Sequence, residues 1–200
     1  MHIAYKWLSE MKSSLKSDAS GTSKRASTGQ WALRPQDVVV ALKLVVLRGQ
    51  WLPYAELGKQ LKLSQFEAHA AVRRLLAAKL ITDIEGEIRP INATLKLFIY
   101  YGAPYAFPPV RGEMTMGFPT AYGMSPLKEK VLFADENPPV WPSPEGTTRG
   151  MTLLPLYEKV PLAALEDRAL YEMLALFDAL RIGAAREREM AIAFLEERFR

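Results

Sequence analysis

The chain has 200 residues, 26 basic and 22 acidic side chains for a net charge of +4, and a 49% hydrophobic composition, ordinary for a globular protein able to bury a core. It has no cysteine and two histidines, His2 and His69, which excludes disulfides, thiolate metal sites and thiol nucleophiles and leaves little for a zinc site or a Ser-His-Asp triad. No apolar run approaches the roughly 18 residues that span a bilayer, and the N-terminus lacks a signal-peptide core, so the expectation is a soluble, cytoplasmic protein without a membrane partner.

In chain order, residues 1–12 predict a short helix with Ile3, Trp7, Leu8 and Met11 near one face. Residues 13–30, rich in Ser, Thr, Gly and Lys, read as a flexible linker, so 1–33 is set apart as a flexible N-terminal segment. "RPQDVVVALKLVVLRG" predicts a helix entered through Pro35, with Asp37 adding negative charge near its N-terminus and Gly49 as its stop. Val38, Val39, Leu42, Val45 and Val46 give it an apolar face wide enough for a core helix. A short helix, Tyr54 to Leu61, follows Pro53, with Ala55, Leu57 and Leu61 facing inward. After the tight "LKLS" break, Ser64 and Glu67 make a capping box for a helix to about Lys79. Ala68, Val72, Leu75 and Leu76 are its buried stripe.

"ITDIEGEIRPI" predicts a β-hairpin turning at Glu85-Gly86. Asn92 is then expected to cap a helix that Gly102 ends, which closes a segment 34–102. Residues 103–160 are dense in proline, glycine and aromatic residues, too apolar for disorder and too proline-rich for long helices. They predict an ordered, loop-rich region with short strands, in which "RGEMTMGFP" and "RGMTLLPLY" look alike. Residues 161–200 predict helices, one from Pro161 to about Ile182 and one beyond Gly183, and these are the candidate dimerisation surface. Leu162, Leu165, Leu170, Leu174, Phe177 and Leu180 supply the first apolar face; Met190, Ile192, Phe194, Leu195 and Phe199 supply the second.

Helix, short helix, tight turn, capped helix and hairpin are, in that order, a winged helix-turn-helix, so the fold class is mainly α (α+β). "YAELGKQLKLSQFEAHAAVRRLLAAKLI" with "ITDIEGEIRPIN" resembles MarR-type bacterial transcriptional regulators over residues 34–91. The "GFPTAYG", "PVWPSPEG" and "ARERE" stretches resemble a group of uncharacterised small bacterial helix-turn-helix proteins. The first resemblance implies double-stranded DNA as partner, a homodimer and a role in transcription regulation.

The residues fit that chemistry. A major groove admits one α-helix, whose N-terminal half meets base edges. With Ala68, Val72 and Leu75 inward, Gln65, His69 and Arg73 fall on another face, flanked by Phe66 and Arg74. Glutamine can read adenine and arginine guanine, each bidentately, and Phe66 can lie on a thymine methyl. Lys59, Lys62 and Arg74 are candidate phosphate anchors, and Arg89 reaches from the wing. Ser64 and the exposed helix N-terminus would offer backbone N–H groups to a phosphate. Residues 34–91 hold nine basic and six acidic side chains, a mild surplus in the same direction, whereas the acidic Glu85-Gly86-Glu87 tip opposes deep insertion beside phosphates.

The alternative is a non-catalytic interaction module, such as an antitoxin-like or defence-associated partner protein. An enzyme is not expected. Arg111, Glu113, Asp135, Glu136, Glu145 and Arg149 lie in the loop-rich region, but no carboxylate pair, phosphate loop, metal-ligand cluster or cofactor motif organises them.

Overall fold

The computed structural model describes residues 31–130 and 137–200. The expected helix at 1–12 and linker at 13–30 lie outside them, as do His2, Asp135 and Glu136. Helix α1, Pro35–Val46, begins where the backbone N–H of Arg34 donates to Asp37 Oδ2 at 2.9 Å, so Asp37 caps the helix it was expected only to charge. Every residue from Asp37 to Val45 is buried. Gly49, at φ +86°, takes the left-handed turn that ends the helix region.

Helix α2, Tyr54–Gln60, buries Leu57 and Gly58. Ala55, expected inward, is exposed, because seven residues offer the core only a narrow edge. A Cβ on Gly58 would stand 2.8 Å from the carbonyl oxygen of Leu63, so the tight turn into α3 needs glycine there. Helix α3, Gln65–Ala77, buries Ala68, Ala71, Val72 and Leu75, as its periodicity required, with Leu76 half-buried. Strands β1, Ile81–Ile84, and β2, Glu87–Pro90, pair antiparallel from Ile81↔Pro90 to Ile84↔Glu87. Glu85 and Gly86 both adopt positive φ, the two-residue turn whose twist suits a hairpin.

Helix α4, Asn92–Leu97, passes through a π-helical turn, Phe98–Gly102, into α5, Ala103–Ala106. Gly102 therefore does not stop the helix. Nor does Asn92 cap it: Ile91 holds that position, and the Asn92 amide donates to the carbonyl of Phe199 at 3.0 Å. Strands β3 (Arg111–Pro119), β4 (Pro139–Pro142) and β5 (Thr148–Leu153) follow. The two similar strings noted in the sequence are partner strands: β3 and β5 run antiparallel, with Met114↔Met151 and Met116↔Arg149 opposed. Strand β4 pairs antiparallel with β3 and parallel with β5, so the three close a small ring. A Cβ on Gly150 would meet the Pro138 carbonyl oxygen at 1.9 Å, so ring closure depends on glycine.

The C-terminal helices are α6 (Val160–Glu166), α7 (Arg168–Ile182) and α8 (Ala185–Arg198). The single helix expected from 161 to 182 is broken at Asp167, whose carboxylate accepts from the N–H of Leu170 at 3.1 Å and from Lys43 Nζ of α1 at 2.7 Å. Burial opposes the Asp167 charge, but the Lys43 and Leu170 bonds outweigh it and hold its pKa below the ordinary value. Leu162 and Leu165, expected on an apolar face, are about half exposed, because the chain turns away from that face at Asp167.

Helix α7 is the centre of the fold and is buried continuously from Met173 to Leu180. Each large apolar side chain shut away there contributes roughly 1.5–3 kcal/mol of transfer free energy. Its Asp178 accepts from Thr120 Oγ1 (2.8 Å), Trp141 Nε1 (2.7 Å) and Arg181 (2.7 Å), which ties the strand ring to the helices. Tyr171 adds a bond to the Pro119 carbonyl at 2.6 Å and stacks on Trp141; burial pushes its phenol up to about 12. One hydrophobic core runs through α1, α3, the hairpin, α7 and α8, and Trp31–Arg200 is one compact unit. The fold is thus α+β, helices with a two-stranded and a three-stranded sheet.

Candidate nucleic-acid interface

The α2–α3 turn is braced from behind. Tyr157 donates to the Leu61 carbonyl at 2.6 Å, with its phenol raised by burial, and Lys62 Nζ binds Glu166 of α6. At the helix start, Ser64 Oγ accepts from the Glu67 N–H at 3.2 Å and Glu67 Oε2 accepts from the Ser64 N–H at 2.8 Å. The bonds that Glu67 Oε2 accepts from the Ser64 N–H and from the Ser64 hydroxyl (2.7 Å) hold the Glu67 carboxyl below its usual pKa. The capping box forms as expected, and it corrects one expectation. Ser64 is committed to the helix, and an ionised Glu67 stands at the helix N-terminus where a phosphate was to dock.

Gln65, Phe66, His69 and Arg73 are all exposed on α3, Phe66 at 85% the most open large apolar side chain described. His69 meets the ring of Tyr54 edge-on (centroids 4.8 Å apart, 85°), and Tyr54 meets Trp51 likewise at 5.2 Å. The Arg73 guanidinium lies over Trp31 at 5.9 Å. Tyr54 is raised by partial burial and then by Asp83 of the hairpin, against the lowering charge of Arg73. Edge of hairpin, start of α2 and exposed face of α3 therefore converge on one patch. The place of Trp31, Trp51 and Tyr54 in this patch is not legible in the sequence, because no local spacing links them to His69 or Arg73.

The remaining expected anchors divide. Arg74 is buried: its Nε and Nη2 donate to Asp37 Oδ2 and Oδ1 at 2.7 and 2.6 Å. This bidentate pair spends the guanidinium inside the core, so Arg74 is no phosphate anchor. Lys62 is tied to Glu166, and Arg89 to Glu87 on its own strand. Lys59 is exposed and, like Arg73 and Lys79, has no carboxylate partner among the described residues. No group of His, Asp and Glu able to hold a metal ion occurs among the described residues. No described helix is long and apolar enough to cross a membrane. No family model, no curated protein and no solved structure matches the chain.

Proposed function

We propose that residues 34–91 are a winged helix-turn-helix and that the protein is a DNA-binding transcriptional regulator, not an enzyme, reading duplex DNA with α3 as a cytoplasmic homodimer. The observation that carries this is the exposed face Gln65, Phe66, His69 and Arg73 on a helix held rigid by its capping box and by the braced turn before it. Arg73 supplies a pair of donors for a guanine edge, Gln65 a donor and an acceptor for an adenine edge, and Phe66 an apolar contact for a thymine methyl. Lys59, Arg73 and Lys79 supply the free positive charge. Dimerisation follows from the two-fold symmetry of most operators. It would use the surface that the C-terminal helices leave outside, since Leu170, Leu174, Phe177, Leu180, Leu195 and Phe199 are consumed by the core.

The test is fluorescence anisotropy with duplexes selected from a random pool, for wild type and for His69→Ala/Arg73→Ala. The double variant keeps its circular dichroism and loses specific binding. Equal binding by the two proteins sinks the assignment of α3, and no retention of wild type on duplex DNA at low salt sinks the DNA reading.

One feature favours a non-catalytic protein-interaction module instead, of the antitoxin-like or defence-associated kind. Leu97, Tyr101 and Tyr105, at four-residue spacing along α4–α5, are each more than 60% exposed. A partner protein co-purifying in fixed stoichiometry, lost on Tyr101→Ser/Tyr105→Ser, would establish that reading.

A further inference from the structure

Where α1 ends, β2 ends and α8 ends, they enclose a cavity of about 250 Å³. Its walls carry Arg48, Arg89, Asn92, Arg198 and Arg200 with Phe199, and no aspartate or glutamate. Arginines at helix C-termini have an ordinary explanation. The last carbonyls of α1 and α8 place roughly half a negative charge each at their ends, and a cation nearby stabilises them. That explanation accounts for only part of the charge. The lining arginines share their carboxylates with other bases: Glu172 serves both Arg198 and Arg168, and Glu196 bonds Lys96 while also feeling Arg200. With Arg89 on Glu87, the recorded carboxylates are three, against six bases including Arg48.

Arg48 is the telling residue. It stands at φ +49° just beyond α1, exposed; its backbone N–H donates to the Val45 carbonyl at 3.1 Å, and its guanidinium has no ion-pair partner among the described residues. It also borders a smaller recess shared with Arg198 and Glu172. Arg198 is oriented by its bonds to the Phe194 carbonyl and Glu172, so the wall opposite Arg48 is preorganised. Guanidinium groups suit oxyanions with several acceptor oxygens, above all phosphate.

We propose that this cavity binds the phosphate group of an anionic ligand, with Arg48 as the free clamp, Arg198 as the fixed wall, and Arg89, which bonds Glu87 through Nη2, turning its other donors to the phosphate. The proposal does not rest on the DNA reading, since α3's exposed face contributes no residue to the cavity. The phosphate can belong to a free phosphorylated molecule or to the backbone of a nucleic acid, and the same protein separates the two.

The experiment is calorimetric titration of the full chain with inorganic pyrophosphate, against sodium chloride at matched ionic strength. Saturable binding is expected, weakened at least about tenfold by Arg48→Gln, the weight of one charge-assisted hydrogen bond, and similarly by Arg89→Gln. Both sites are solvent-exposed, and circular dichroism confirms that the variants fold. If duplex DNA displaces pyrophosphate and Arg48→Gln weakens DNA binding, the bound phosphate is a backbone phosphate. If DNA and pyrophosphate bind independently, it belongs to a free ligand. Absence of pyrophosphate binding beyond the salt control, or equal binding by wild type and both variants, overturns the proposal.

Discussion

Arg73 and Arg74 are neighbours in sequence with opposite fates. Arg73 points outward over Trp31, while Arg74 turns into the core and grips Asp37 with two hydrogen bonds. Removing one member of a buried ion pair strands the other, at about 3–5 kcal/mol. Arg74→Ala is therefore expected to lower the unfolding free energy by about 3 kcal/mol or more in urea titrations. Arg73→Ala should stay within about 0.5 kcal/mol of wild type, as exposed substitutions do. Equal, small effects would place Arg74 back on the surface. The helical period puts Arg74 beside the reading stripe, and its partner lies 37 positions away on another helix. No local pattern could have shown that the charge was already spent.

Among the elements, α3 and α7 start on side-chain caps of contrasting origin. The α3 cap is legible because Ser64 and Glu67 are three apart, and Ser64→Ala is expected to cost about 1 kcal/mol. Asp167 at the head of α7 sits inside a continuous helical pattern, and its second partner there, Lys43, is far away in sequence. Asp167→Asn keeps a capping oxygen but leaves the buried Lys43 ammonium without a counter-charge, an expected loss of about 2 kcal/mol or more at neutral pH. The folded-state pKa of Asp167 is depressed, so its contribution is fully present above 3.8, the ordinary aspartate value, and is lost as pH falls through the lower folded value. Stability measured against pH should show the two proteins converging only in that acidic range. A gap of constant size down to the acid limit would mean that the Lys43 pair does not carry the effect.

At the scale of the whole molecule, the helices around α3 have no core of their own: α1 is shared with α7, and α7 with the strand ring through Asp178. Gly150→Ala, which drives a methyl into the Pro138 carbonyl, should then lower the melting temperature of the entire described unit in one transition. A separate, unshifted transition for the α1–β2 portion would contradict a common core. The same assembly sets the electrostatics of the proposed interface. With Arg74, Lys62 and Arg89 engaged, about three free cations remain near α3. The slope of log K against log salt should be near −3 for each protomer bound, and between about −5 and −6 for the proposed dimer, at about −0.9 per phosphate neutralised. A dimer slope of about −10 or steeper would require the tied bases to let go of their carboxylates on DNA.

Sequence by itself determined the local elements: α1 from its apolar breadth and Pro35, the capped α3 from Ser64 and Glu67, the hairpin from Glu85-Gly86, and the similarity of two stretches that became paired strands. Those features are set by backbone conformation, short-range hydrogen bonds and side-chain period, all contained within a few residues. Only the tertiary structure decided that α6 and α7 separate at Asp167 and that the helix of Asn92 runs through Gly102. It alone buried Arg74 against Asp37 and set Lys62 and Arg89 beside surface carboxylates, and it alone brought Trp31, Trp51 and Tyr54 around His69 and Arg73. The physical reason is the same in each case: where a charge or a ring comes to rest depends on a partner tens of residues away, and composition and period carry no record of that distance.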